Sequence, residues 1–179
     1  MTAPSNYTEI PMKASHKTKT LGLAAAVLAA FSAFVFAATP AADDVKAIND
    51  IIRNYAKSVN DLDIPLAEKF WQTDERVSFI HPRGNEYGWS QIKDNFYGKT
   101  MGETFSSREL QIKDVNVQVY GDTAVAVFHW DFPAVFRKDG SPVTTHGRES
   151  QVFTRTPDGW KLVHIHYSNM PVAGDKQGF

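Results

Sequence analysis

Gly159-Trp160-Lys161-Leu162-Val163-His164-Ile165-His166-Tyr167-Ser168 follows the turn cluster Thr156-Pro157-Asp158-Gly159. Its β-branched and aromatic content between turn signals is that of a strand. Alternation along a strand sends Val163, Ile165 and Tyr167 to one face and His164 and His166 to the other. Before the turn, Val143–Arg155 makes a second strand, with Glu149, Gln151 and Phe153 sharing the inward face. Lys138-Asp139-Gly140 joins it to Thr123–Arg137, a long strand apolar on both sides. There Ala124, Ala126, Phe128, Trp130 and Phe132 face one way, and Val125, Val127, His129 and Asp131 the other. The first set holds the larger aromatics and is assigned to the inside. Gly121-Asp122 leads back to Leu110–Val119, whose alternation slips at Asp114 as a β-bulge would make it.

Upstream the period changes. Val45, Ile48, Ile51, Ile52, Tyr55 and Val59 recur at helical spacing after Asp43-Asp44, short acidic side chains suited to a helix start. Asn60-Asp61 ends that helix. Pro65 suits the first turn of a second one carrying Leu66, Phe70 and Trp71. Arg76–His81 is strand-like, Pro82-Arg83-Gly84-Asn85 is a turn, and Trp89, Ile92 and Phe96 mark a third helix from about Ser90. Helices first and a meander after is the order of an α+β domain, about three N-terminal helices on a curved antiparallel sheet. Helices cannot fill a strongly bent sheet to its full depth, so a pocket is expected between the layers.

Residues 1–38 stand apart. Leu21–Phe36 (LGLAAAVLAAFSAFVF) is uncharged and apolar, follows Lys13, Lys17 and Lys19, and ends in small residues near Ala37 and Ala38. At about 16 residues it is short of the roughly 20 that span a membrane, and its three parts match a secretory signal peptide. A retained N-terminal anchor is the rival reading. The expected domain is then 39–172, with 173–179 as a tail and the periplasm, or secretion, as the destination. About 140 residues are enough for one core. The chain has a net charge of −1 and no cysteine. The first gives no basic field for nucleic acid, and the second excludes disulfides and thiol catalysis.

The closing strand GWKLVHIHYS resembles that of the SnoaL-like branch of the nuclear transport factor 2-like superfamily, and also the association domain of the calcium/calmodulin-dependent kinase II family. Asn60-Asp61-Leu62-Asp63 after the first helix and Gly121-Asp122 before the long strand extend the resemblance from about Asp44 to Ser168. It implies a cone-shaped fold enclosing a pocket, and a dimer formed through the outer sheet face. The superfamily spans isomerases, dehydratases, cyclases, hydrolases and non-catalytic hubs, so the fold does not choose a reaction. Ile51-Ile52-Arg53-Asn54-Tyr55 resembles the helix on which ketosteroid isomerase presents an oxyanion-binding tyrosine. That enzyme's general-base aspartate falls on His81, before Pro82, and its protonated aspartate falls on Gln151.

Proton abstraction beside a carbonyl needs a base and a donor for the growing charge. An imidazole suits the first role; a phenol and an amide suit the second. His81, Tyr55 and Gln151 are therefore the catalytic candidates. The plain alternative is a core tyrosine and a histidine that caps a turn. Trp71, Trp89, Phe96, Phe128, Trp130, Glu149 and Tyr167 are the candidate ligand-binding residues, and their aromatics suit a flat organic molecule; taken singly, each is also an ordinary core residue. His129, His164 and His166 beside Asp131 and Arg148 fit an interface network better than a metal site. No metal or cofactor is expected. Two functions remain: an exported protein that binds a small hydrophobic molecule, with isomerase, lyase or cyclase chemistry, or a non-catalytic dimeric binding or assembly domain. Neither implies nucleic acid, or a membrane once the signal is removed.

Overall fold

A computed structural model of the chain describes residues 42–169. The signal peptide and the tail expected from the sequence lie outside the described residues. No helix within them is long and apolar enough to cross a membrane.

Helix α1 spans Ala42–Asp61 and buries Ile48, Ile51, Ile52, Tyr55 and Val59 along one face, as their spacing requires. Asp44 in its first turn accepts from Trp160 Nε1 at 3.1 Å and from Arg155 Nη2 at 2.6 Å, fastening the helix to the last two strands. Helix α2 (Ile64–Phe70) starts on Asp63, whose side chain accepts the Leu66 N–H. Such a cap is worth about 1 kcal/mol. The third helix begins at Gly88 rather than Ser90. Its α-helical part, α3 (Gly88–Gln91), runs on as a wider π-helical stretch, Ile92–Glu103, that buries Ile92, Phe96, Tyr97 and Met101.

Seven strands follow in one sheet: β1 (Ser78–His81), β2 (Gly84–Tyr87), β3 (Phe105–Arg108), β4 (Gln111–Tyr120), β5 (Thr123–Phe136), β6 (Pro142–Thr156) and β7 (Gly159–Asn169). Their order is β2-β1-β7-β6-β5-β3, and β4 also pairs with β5. The sheet is mixed, not wholly antiparallel as expected. Strand β1 pairs in parallel with β7, Phe79 opposite Ile165. The sequence order of helices and meander says nothing about β1, which is made before the meander and docks on its far edge. Pro82-Arg83 closes a short hairpin, β1–β2, that reads from sequence as a turn alone.

The bulge expected at Asp114 is present: the β4–β5 register shifts between Lys113 and Asn116, and Asp114 has φ 55°. A second shift, between Val152 and Phe153, lies opposite Val163 on β7. It turns Leu162 into the core and leaves Val163 half-buried, so the inward run on β7 is Leu162, Ile165 and Tyr167 rather than Val163, Ile165 and Tyr167. On β5 the inward face is the one assigned from alternation: Ala124, Ala126, Phe128, Trp130 and Phe132 are all buried.

Candidate functional site

A cavity of about 240 Å³ lies between α1, the π-helical stretch and the concave face of β5–β7. Its deep end is made by Tyr55 and Val59 of α1 and by Glu149 of β6; Phe96, Met101, Leu110, Trp130 and Phe132 form apolar walls. Arg83, Thr145 and Asn169 bring polar groups to the open side. Trp130 stands edge-on to Tyr167 with ring centroids 5.7 Å apart, and Gly147 makes room for it. A Cβ on Gly147 would come within 2.0 Å of the Trp130 ring.

Glu149 is 4% exposed and Tyr55 1%. Gln151 Nε2 donates to Glu149 Oε1 at 2.8 Å, and the Tyr55 hydroxyl stands beside the same carboxyl. Burial pushes the Glu149 carboxyl up to about 8, against the opposing effect of the hydrogen bonds from Gln151 and Tyr55. Near neutral pH burial therefore favours the uncharged acid. Burial, and then the nearby Glu149 charge, raises the Tyr55 hydroxyl well above the phenolic range. The two groups hold two O–H protons in the neutral state. A bond between them would engage one and leave the other to donate into the cavity. Tyr167 is raised to about 12, again chiefly by burial. The deep end is therefore a neutral hydrogen-bond donor surrounded by apolar wall, suited to an acceptor such as a carbonyl oxygen.

The structure brings Tyr55, Phe96, Trp130, Glu149 and Tyr167 together around this space. Gln151 sits behind Glu149, with its Oε1 buried and without a partner among the described residues. His81 is outside the lining, behind Tyr167, on which its ring stacks at 6.0 Å and 19°. Its Nδ1 accepts the Arg83 backbone N–H at 3.2 Å, and Nε2 lies 3.5 Å from Glu86 Oε1. The turn thus engages the Nδ1 lone pair. Trp71 and Trp89 pack on each other at 6.0 Å in the core, and Phe128 is core as well. Alternation gives a residue's face but not its depth: the cavity lies at the Trp130–Phe136 end of β5, beyond Phe128.

Arg83 was legible only as part of a turn. Glu149 carried a stronger signal, a carboxylate at an inward position flanked by Phe128 and Tyr167 across the sheet. On the outer face, Asp131 pairs with His146 Nδ1 at 2.6 Å and with Lys113, while His129 faces Asp114. No group of three metal-ligating side chains occurs among the described residues.

Helices laid on a curled mixed sheet around such a cavity define the nuclear transport factor 2-like superfamily. Within it, the chain matches the SnoaL-like domain model over residues 48–173 and belongs to that family. A nuclear transport factor 2-like superfamily protein from Salmonella enterica serovar Typhimurium is 45% identical, with a TM-score of 0.72, covering 75% of this chain and 96% of its own. The hexachlorocyclohexane dehydrochlorinase LinA-type3 from Novosphingobium barchaimii is 12% identical, with a TM-score of 0.65 and coverage of 74% and 92%, a likeness of fold. No curated protein matches the chain.

Proposed function

We propose that the cavity binds a small, largely apolar organic molecule through a carbonyl-type acceptor, held by the Tyr55 hydroxyl and the protonated Glu149 carboxyl. One observation carries this reading: a carboxyl that burial keeps protonated at neutrality lines an apolar cavity beside a tyrosine hydroxyl. A neutral donor in a dry site is stronger than the same group in water, and it needs no reorganisation to meet an acceptor. Export through the apolar N-terminal segment would place this binding in the periplasm, which cell fractionation tests.

The probe is 2-acetylnaphthalene, a two-ring ketone without charge, titrated by calorimetry or by quenching of tryptophan fluorescence. Binding is expected at pH 7. Tyr55→Phe or Glu149→Leu should weaken it about tenfold, the scale of one hydrogen bond to a buried polar group. Above pH about 8, ionised Glu149 has no O–H to donate and accepts the Tyr55 O–H as a hydrogen bond, so the affinity should fall. Saturation that is indifferent to both substitutions would reject the donor pair.

The same pair favours a second reading, catalysis. A donor that stabilises an oxygen gaining negative charge accelerates enolisation, the step shared by isomerases and lyases acting beside carbonyls, with solvent water accepting the α-proton and returning a deuteron in D₂O. Exchange of the ketone's methyl protons in D₂O, followed by NMR, separates the two readings. Exchange accelerated by the protein and lost in Tyr55→Phe is expected of an enzyme, whereas binding without exchange leaves a carrier.

A further inference from the structure

Among the described residues, Arg83 is the one basic side chain that lines the cavity, and Glu149 the one carboxyl. It lies exposed on the β1–β2 turn at the open side, and its guanidinium has no hydrogen bond or ion pair to any described residue. It lines the same space as Tyr167, an inner wall residue that its charge reaches. Asn169 and Thr145 are the other polar groups on that side. From deep end to rim, a ligand therefore meets a neutral donor pair, an apolar and aromatic sleeve, and then one cation with no counter-charge among the described residues.

We infer that the ligand is a ring-bearing carboxylic acid with two functional ends, its carboxylate on Arg83 at the rim and its carbonyl-type acceptor on Tyr55 and Glu149. This rests on the binding reading above and narrows it to a substrate class. A neutral ketone would leave the guanidinium without a partner, whereas a carboxylate offers it the planar two-oxygen face that arginine matches. A dianion, or an acid entering carboxylate first, is disfavoured. The deep end would have to hold a negative charge beside Glu149 in a dry environment, and the cation among the described lining residues, Arg83, is at the other end.

The test pairs 2-acetylnaphthalene with 6-acetyl-2-naphthoate, which adds a carboxylate at the far end of the same ring system. The acid should bind at least about fivefold more tightly, within the range for a charge-assisted contact that is partly exposed to water. That advantage should shrink as sodium chloride is raised from 20 mM to about 500 mM. In Arg83→Gln the ratio of the two affinities should collapse to about one, and Arg83→Lys should restore part of it. Circular dichroism and melting of each variant guard against a fold defect. If both probes bind equally to the unaltered protein, or if the acid keeps its advantage in Arg83→Gln, the anchor is wrong while the cavity reading stands. If neither probe binds, the cavity reading itself fails, and the inference fails with it.

Discussion

Glu149 has lost the water that a carboxylate normally keeps, and the Gln151 amide and the Tyr55 hydroxyl replace it only in part. Its folded-state value of about 8 lies above the 4.5 of the unfolded chain. Between those limits the unfolded state has released a proton that the folded state retains. The contribution is fully present below about 4.5 and is lost as pH rises through about 8, at most about 1.4 kcal/mol per pH unit. Glu149→Gln keeps the shape and removes the ionisation, so its melting temperature should stay nearly level over that window while that of the unaltered protein declines. Parallel curves would mean the carboxyl is not perturbed. At this scale the sequence was half legible. Tyr55 was placed by helical spacing and by resemblance, and Glu149 by alternation. The engagement of His81 by the Arg83 N–H was not, because it depends on the local path of a four-residue turn.

Strand β6 carries the acid, its amide partner and the gap that admits Trp130, all within Gly147–Gln151. Gly147 is set by close approach, since any Cβ there meets both the indole and the Ser168 carbonyl at 2.5 Å. Gly147→Ala should therefore cost about 1–3 kcal/mol through overpacking, measured by urea unfolding. It should also reduce ketone binding, because the indole that the new methyl would displace lines the cavity. An alanine variant as stable as the parent would show that Trp130 has slack. Strand and helix types followed from period, and the Asp114 bulge from a break in it. The Val163 bulge and the parallel β1 were hidden for one shared reason: each is decided by a neighbour distant in the chain, not by the local pattern.

On the whole domain, the convex side of the sheet exposes Val127 at 44% amid a field of histidines, Asp131 and Arg148. We expect this side to be covered by a second copy of the chain, as the resemblance to dimeric relatives implies. Multi-angle light scattering of the domain should give twice the chain mass, and a monomer at micromolar concentration would refute the expectation. The helix-then-meander order gave the architecture, since each layer announces its own period. The cavity's outline was not readable, because it is the space left where packing stops. The lateral contact of Ser78–Ile80 with His164–His166 joins residues 86 positions apart. A ribosome must therefore deliver nearly all of the domain before the hairpin bearing Arg83 has anything to lean on. Nascent chains halted short of β7 would carry neither Tyr167 nor the sheet edge that seats β1, so a ligand of the proposed kind could be taken up only after β7 has been made.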